Sequence, residues 1–236
     1  YDTGLAKKRN EGLERIDDEF ILFLDDDQYV PSDVHELTTI LNENPQLGAI
    51  APFWAENGLI KCNAANFHIK RGWVIKRGDT DECEQTGTGH HMFRYDHISN
   101  AAMFRTAVFD DYTWDGFYTI GEEDTDFYLY HKELDKWDFA ATPDYIIRHD
   151  PGAGTVGMYD YERNDIKKFN ESMSYLSKKF DIKGVIHKSS HHHPTQPLLG
   201  RLAHWIATNL IPNSVLWSVR KQRTGFYIID HLFPNQ

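Results

Sequence analysis

Phe20-Ile21-Leu22-Phe23-Leu24 is an unbroken apolar run, and Asp25-Asp26-Asp27 follows it directly. A short apolar run of this kind is typical of a strand that is buried on both faces of a parallel sheet. In open α/β sheets, ligands lie just outside the carboxyl ends of the strands. Because alternate residues of an extended chain point the same way, Asp25 and Asp27 can share one cation. The stretch therefore predicts a cation site at a sheet edge, and a solvated turn is the alternative interpretation.

The spacing of these acids also has a calcium-loop interpretation. Counted from Asp25, Asp27 falls at the third position and Glu36 at the twelfth position of an EF-hand loop. However, Val30 stands at the sixth position, where that loop needs Gly for its sharp turn, and a strand rather than a helix precedes it. We therefore set the EF-hand interpretation aside.

The rest of the chain alternates between helical and strand patterns. Predicted helices cover residues 4–16, 33–44 with Ser32 as N-cap, a segment that starts near Gly121, and 159–180. Predicted strands cover residues 47–51, 67–70, 73–76, 98–104, 139–142 and 145–148, with a polar loop at 79–91. The succession of strand, helix and strand predicts an α/β fold with a mostly parallel sheet flanked by helices.

Composition narrows the class of protein. A chain of 236 residues is long enough for one large α/β domain with a full core. The formal net charge of −11 argues against a nucleic-acid binder. Cys62 and Cys83 indicate free thiols of a reducing, cytoplasmic compartment, with a single disulfide as the alternative.

The C-terminal part differs in character from the rest. We predict a main domain at residues 1–186 and a helical, basic and aromatic extension at 187–236. His191-His192-His193 is interpreted as a linker with incidental metal affinity. Residues 198–236 either dock on the main domain or lie on an anionic surface, which would place the protein at the inner membrane surface.

A dense acidic cluster begins the predicted helix near Gly121: Glu122, Glu123, Asp124 and Asp126. Acids in the first turn of a helix stabilise its dipole, which is a sufficient structural role for most of the four. Acids packed this closely also repel one another. That repulsion raises carboxylate pKa values and suits one of them to act as a base.

Four segments of the chain, taken in order, resemble family 2 glycosyltransferases of the GT-A fold. They are Gly4–Leu13 with its A-K-K-R-N-E-G-L run, Phe23–Asp27 with its D-x-D acids, Trp114–Phe117 with its D-G-F loop, and Glu123–Phe127 with its E-D-x-D start. The resemblance covers residues 1–150. The family has a further strand, helix and strand before these segments, so the chain is expected to be an N-terminally shortened form of its nucleotide-binding half.

The resemblance implies a role for each matching residue. Asp25 and Asp27 would hold Mn²⁺ or Mg²⁺, with His149 completing the metal site, and Asp124 would be the catalytic base. Donor-binding residues would be Gly4, Arg9, Asp25, Asp26 and Asp27. Acceptor-binding residues would be Trp114, Asp115, Gly116, Phe117 and Glu123.

The implied activity is metal-dependent, inverting transfer of a sugar from a nucleotide-sugar donor to a hydroxyl of a glycan, polysaccharide or lipid-linked acceptor. A divalent cation suits a diphosphate leaving group, and a positioned carboxylate suits the deprotonation of a hydroxyl. Two alternatives stay open: a non-catalytic carbohydrate- or nucleotide-binding module on the same scaffold, and a metal-dependent nucleotidyltransferase, which would release pyrophosphate.

Overall fold

The computed structural model describes residues 4–56, 58–79, 82–119, 121–150 and 166–187, with the backbone alone at Ile166 and His187. The helices of these ranges are α1 (Leu5–Leu13), α2 (Leu37–Glu43, entered through a 3₁₀ turn at Val34–Glu36), α3 (Val108–Asp111), α4 (Glu123–Leu134) and α5 (Ile166–Lys179). The predicted extension after His187, with its histidine run and membrane-facing segment, lies outside the described residues, as does the start of the helix predicted at 159–180.

The strands form two sheets. They are β1 (Phe20–Leu22), β2 (Gln28–Tyr29), β3 (Leu47–Glu56), β4 (Leu59–Lys61), β5 (Asn66–Lys70), β6 (Trp73–Arg77), β7 (Glu84–Gln85), β8 (His91–Tyr95), β9 (Met103–Arg105), β10 (Asp138–His149) and β11 (Gly184–His187). The larger sheet has the order β1-β9-β3-β10-β8-β7, with β2 paired to β10 and β4 paired to β3. The smaller sheet has the order β11-β6-β5.

The α/β class with helices flanking a sheet is confirmed, but the prediction of a mostly parallel sheet is wrong. Within the larger sheet, as far as the chain is described, β3 and β10 are the parallel pair and the remaining pairs are antiparallel. One cause of this difference from the prediction is β9, which lies between β1 and β3 and is antiparallel to both. The strands β1 and β3 thus run in the same direction, as predicted, without being neighbours.

Alternating side chains of the central strands supply cores on both faces of the larger sheet. Leu47 and Ile50 of β3 pack with α2, whereas Ala49 and Ala51 belong to the core that contains residues of α4 and α5. The period of two separates Ile50 from Ala49 and Ala51, whereas Leu47 joins the α2 core on the other side of a register shift in the β3–β10 pairing, between Asp138 and Phe139. Phe67, Val74 and Val185 of the smaller sheet join the core on the α4 side.

Several helix and strand boundaries differ from those predicted. The two strands predicted at 139–142 and 145–148 are one strand, β10, with a register shift between Thr142 and Ile146. The strand predicted at 98–104 is reduced to β9, and β8 forms where the sequence indicated none. Ser32 is not the helix cap, because the 3₁₀ turn starts after Asp33 and shows no side-chain cap.

Candidate functional site

Three strands that run in the same direction end at one edge of the larger sheet. Asp27 follows β1, Glu56 is the last residue of β3, and His149 is the last residue of β10. His149 Nε2 lies 3.2 Å from Asp27 Oδ2, and His149 Nδ1 lies 2.7 Å from Glu56 Oε2. The backbone N–H of Asp150 donates to the Asp27 carbonyl at 2.9 Å, which ties the two strand ends together. The fold thus brings the predicted partners Asp27 and His149 together and adds Glu56.

The acids of this edge have the chemistry of a divalent-cation site. Burial raises the pKa of Asp25, and the neighbouring Asp27 and Asp26 add to that rise, while Arg9 opposes it. The Oδ1 atom of Asp27 is buried and accepts no hydrogen bond from any group that the structure describes. A hard cation would satisfy that oxygen and relieve the repulsion between the carboxylates. However, the described ranges contain no preformed group of three or more metal-ligating side chains, so the predicted trio of Asp25, Asp27 and His149 is not assembled as a cage.

Arg9 of α1 connects these acids to the start of α4. Its guanidinium group lies 3.8 Å from Asp25 Oδ1 and 3.7 Å from Glu123 Oε1, and its side chain is 9% exposed. It also lies over the ring of Trp114, 5.3 Å from the centroid. The four segments that carry the family resemblance therefore meet at one side chain.

The ring of Trp114 packs beneath the guanidinium group of Arg9. It is 1% exposed, and its ring packs against Phe23, Phe109 and Phe127 at centroid distances of 4.9 to 5.1 Å. The sequence predicted an acceptor-binding role for Trp114, but a side chain buried this deeply packs beneath Arg9 and has no surface to offer an acceptor.

Gly4 fixes how α1 meets the loop that contains Trp114. It has a φ of 79°, and a Cβ atom at this position would lie 2.9 Å from the Cα of Thr119. A side chain would therefore collide with backbone as well as strain the left-handed conformation. In addition, Asn10 donates to the Trp114 carbonyl at 2.7 Å. The proximity of α1 to the loop explains the need for Gly4, whose donor-binding role stays a prediction.

The turn into α4 has an unusual backbone. Gly121 and Glu122 both have positive φ values, 80° and 67°. A non-glycine residue rarely adopts this conformation, which is frequent at functional sites. The next residue, Glu123, is 7% exposed, and burial together with the Asp124 charge raises its pKa to about 7. A buried acid that is only partly ionised near neutral pH therefore stands beside Arg9.

Asp124 lies on the side of α4 that faces the smaller sheet, and its side chain is 31% exposed. Its Oδ2 atom is 2.9 Å from His97 Nε2, and its Oδ1 atom accepts the backbone N–H of Thr125 at 2.7 Å. The same His97 nitrogen lies 3.0 Å from Nζ of Lys76 on β6. The predicted base is therefore held by two fixed partners while part of it remains accessible.

Asp126 lies on the opposite side of α4 and is completely buried. Its carboxylate accepts hydrogen bonds from the hydroxyl groups of Tyr112 at 2.5 Å and Tyr118 at 2.9 Å. Lys179 of α5 donates to it at 3.0 Å and also contacts the Tyr112 hydroxyl and Asp115. Burial works to lower the pKa of Lys179, but its hydrogen bonds to Asp115, Tyr112 and Asp126 outweigh burial and raise it.

The loop between α3 and α4 presents one exposed aromatic residue. Phe117 is 49% exposed and stacks on Tyr175 of α5 at 3.9 Å between ring centroids. Asp115 accepts hydrogen bonds from the Phe117 backbone, from Tyr175 and from Lys179. These three bonds outweigh the effect of burial and hold the pKa of Asp115 below its usual range. Gly116 lies against the side chain of Lys7, which brings α1 to the same loop.

The structure brings Asp25 and Glu123 to the two sides of Arg9, and the site roles predicted for Asp25, Asp27, Glu123 and Asp124 stay predictions. Asp26 is exposed, and its donor-binding role stays a prediction. The sequence analysis missed Glu56, Lys76, His97, Lys179 and Tyr175. No local pattern marks them, because each reaches the site through strand or helix packing. The one available signal was Lys76, a charged residue that directly follows the apolar run Trp73-Val74-Ile75.

Comparisons with known proteins give low similarity. No protein-family model and no curated protein sequence matches the chain. Among solved structures, it resembles S. aureus TarS 1-349 in complex with UDP-GlcNAc, with 14% identity and a TM-score of 0.47 over 98% of this chain and 64% of that chain. The ligand-free S. aureus TarS 1-349 gives 13% identity and a TM-score of 0.48 over 93% and 59%.

A third structure is GalNAc-T7 with UDP, GalNAc and Mn²⁺, with 10% identity and a TM-score of 0.49 over 98% of this chain and 45% of that chain. The chain thus spans less than two thirds of each protein that it resembles. These likenesses describe a similar course of the chain and do not assign an activity. Among the helices that the structure describes, none has the length and apolar character to cross a bilayer.

Proposed function

We propose that this chain is a metal-dependent inverting glycosyltransferase, of the hexosyl type, that uses a nucleotide-sugar donor. The observation that carries the proposal is the position of Arg9. It lies between the strand-end acid Asp25 and the helix-start acid Glu123, over the ring of Trp114. Four segments that are far apart in the sequence and together resemble one family therefore contribute to one site.

The strand-end acids form the donor side of this site. Asp25 and Asp27 would hold Mn²⁺ or Mg²⁺, with His149, whose Nε2 atom lies beside Asp27, as a further ligand. The bound cation would neutralise the charge that develops on a diphosphate leaving group. The buried Asp27 Oδ1, which has no hydrogen-bond donor among the described residues, suits this role. Glu56 holds the other ring nitrogen of His149, which fixes the orientation of the imidazole.

The helix-start acids form the acceptor side. The acceptor hydroxyl loses its proton to Asp124, and its oxygen forms a bond to the anomeric carbon of the donor sugar. The bond between that carbon and the phosphate oxygen breaks, and the nucleoside diphosphate leaves with the electron pair. Inversion is what the resemblance to family 2 implies, and an accessible carboxylate that acts as a base is compatible with such a single displacement. Proton removal by a positioned carboxylate contributes a rate factor of about 10²–10⁴.

The acceptor proposed for this site is a hydroxyl of a glycan, polysaccharide or lipid-linked sugar. The exposed face of Phe117, supported by Tyr175, offers an apolar surface of the kind on which sugar rings stack. We place the protein in the cytoplasm, with contact to the inner membrane surface through residues 198–236 as a separate proposal.

Calorimetric titration of the full chain with UDP and with GDP, each with and without Mn²⁺, tests the donor site. We expect one nucleotide to bind in a Mn²⁺-dependent manner and Asp27→Asn to abolish that dependence, because Asp27 would supply a ligand to the cation. Asp17→Asn is the matched control. It removes the same charge from an exposed position outside the predicted donor site, so we expect it to retain Mn²⁺-dependent binding.

Three results would contradict the proposal. They are the absence of binding to both nucleotides, binding that does not depend on Mn²⁺, and equal losses in Asp27→Asn and Asp17→Asn. Products identify the reaction class: a glycosyltransferase releases a nucleoside diphosphate, whereas a nucleotidyltransferase releases pyrophosphate. A binding module would show Mn²⁺-dependent binding without turnover of any sugar nucleotide in a panel of UDP- and GDP-linked hexoses.

A further inference from the structure

A line of buried polar side chains leads from the smaller sheet to Asp124. Lys76 is 7% exposed, His97 is 6% exposed and Thr125 is fully buried. Lys76 Nζ lies 3.0 Å from His97 Nε2 and 3.4 Å from Thr125 Oγ1. Asp124, at 31% side-chain exposure, is the accessible end of this line. Nothing in the resemblance to glycosyltransferases assigned a role to Lys76 or His97.

Lys76 needs an anion, because burying an ammonium group is costly unless it is paired. Within the described part of the chain, its Nζ atom reaches no carboxylate directly. However, Asp124 Oδ2 lies 2.9 Å from the same His97 nitrogen. The ammonium group and the Asp124 carboxylate are therefore at most about 6 Å apart, a separation at which an opposite charge favours the ionised form of a carboxyl group.

The His97 nitrogen joins the two charged groups chemically. An ammonium group only donates hydrogen bonds, an ionised carboxylate only accepts them, and an imidazole nitrogen does one or the other. When Nε2 carries a proton, it donates to Asp124 and Lys76 donates to Thr125 instead. When Nε2 carries no proton, it accepts a hydrogen bond from Lys76. The Asp124 carboxyl group, which lies at a similar distance from Nε2, is then favoured in its protonated form. The protonation states of His97 and Asp124 are therefore linked.

His97 is held rigidly in this position. Its backbone forms a two-way bridge with Ala65, with N–O distances of 2.8 and 2.9 Å. Its ring packs edge-on against Phe67 at 5.9 Å and Tyr128 at 4.8 Å between centroids. An imidazole fixed by both backbone and ring contacts also fixes the orientation of the carboxylate that it holds.

We propose that Lys76 and His97 are positioning residues that keep the Asp124 carboxylate ionised and in a fixed orientation. This inference rests on the proposed function for its catalytic consequence. It explains how Asp124 serves as a base although it neighbours Glu123, whose charge opposes its ionisation. Among the residues that the structure describes, the charged and titratable groups around Asp124 and His97 include Arg9, Lys76, Glu122, Glu123 and Tyr128.

The test is the titration midpoint of Asp124 in the full chain, followed by NMR of ¹³Cγ-labelled aspartate. The Asp124 signal is identified by its loss in Asp124→Asn. We expect Lys76→Met to raise the Asp124 midpoint by about one pH unit or more, because the opposite charge is removed. Methionine keeps the volume and apolar packing of the lysine stem, so the variant should fold. Lys76→Arg, which keeps the charge, should give a smaller shift.

Lys132→Met is the matched control. Lys132 lies on the same helix as Asp124 but forms its ion pair with Asp96, at 2.7 Å. Removing its charge should leave the Asp124 midpoint unchanged. An unchanged midpoint in Lys76→Met, or an equal shift in both variants, would overturn the proposal.

Turnover of a panel of UDP- and GDP-linked hexoses separates this inference from the proposed function. We expect His97→Gln to lower kcat about tenfold with KM for the donor unchanged. In Lys76→Met, the acidic limb of the kcat–pH profile should move to higher pH with the NMR midpoint. Turnover with an unmoved limb would overturn the positioning role and leave the proposed function standing. A specific NMR shift in a chain that turns over no sugar nucleotide would support the positioning and contradict the proposed function.

Discussion

The two sides of the first turn of α4 use the same residue type in opposite ways. Asp124 faces His97 and the smaller sheet, and its side chain is 31% exposed. Asp126, two residues later, faces Tyr112, Tyr118 and Lys179 and is completely buried. A fully buried carboxylate that accepts three hydrogen bonds stabilises the fold. One that is held in position and still partly exposed to solvent is available for chemistry.

The largest expected effect concerns the accessible side. Asp124→Asn should reduce turnover of the donor by about 10²–10⁴-fold, because an amide cannot accept the proton of the acceptor hydroxyl. The free energy of unfolding should also fall, because the buried Lys76 loses its nearby counter-charge, but by less than in a variant that loses the fully buried Asp126 carboxylate. Release of nucleoside diphosphate measures the turnover, and urea denaturation measures the free energy of unfolding. Full turnover in Asp124→Asn would contradict the proposed catalytic role of Asp124 and its difference from Asp126.

Asp126→Asn is the matched change at the buried acid of α4, and it should lower the free energy of unfolding. The amide would place an NH₂ group among donors and remove one of the two counter-charges of Lys179, which keeps its ion pair with Asp115. Removing one partner of a fully buried ion pair costs about 3–5 kcal/mol, and the remaining pair with Asp115 should keep the loss near the lower end of that range. Urea denaturation of Asp126→Asn and Asp124→Asn under one set of conditions compares the two acids directly. Equal stability of the two variants would contradict a scaffolding role for Asp126.

The sequence indicated the acids of α4 without separating them. It supplied the α/β class, the strand before Asp25 and the helix that starts at Glu123, because these depend on local periodicity. It did not reveal β9 between β1 and β3, which pairs through contacts distant in sequence. For the same reason it missed Lys76, His97, Lys179 and Tyr175. The catalytic, metal-binding and donor-binding roles of the motif residues stay predictions.

His131, one turn further along α4, makes the stability of the fold depend on pH. It is fully buried among aromatic rings, and burial lowers its pKa to about 4. An unfolded chain binds a proton to this residue at a higher pH, near 6.5, so acidification favours unfolding. Stability from His131 is complete above about pH 6.5 and falls by about 3 kcal/mol as the pH approaches 4.

His131→Leu should remove this component, because leucine does not titrate and suits the apolar surroundings. Urea denaturation at pH 7.5, 5.5 and 4.5 should therefore show a smaller acid loss in the variant than in the original chain. Parallel stability curves for the two proteins would show that His131 is not buried in its neutral form.

The smallest expected effect is at the junction of α5 with the loop. The hydroxyl group of Tyr175 donates to Asp115 at 2.8 Å, while its ring stacks on Phe117. Tyr175→Phe should cost about 0.5–1.5 kcal/mol of unfolding free energy, the usual value of one hydrogen bond, and should leave donor turnover intact. Tyr175→Ala also removes the ring beneath Phe117, so KM for an acceptor should rise while binding of the nucleotide is unchanged. If both variants raise that KM equally, the hydrogen bond to Asp115 orients the loop. If neither does, Phe117 does not need α5 to support it.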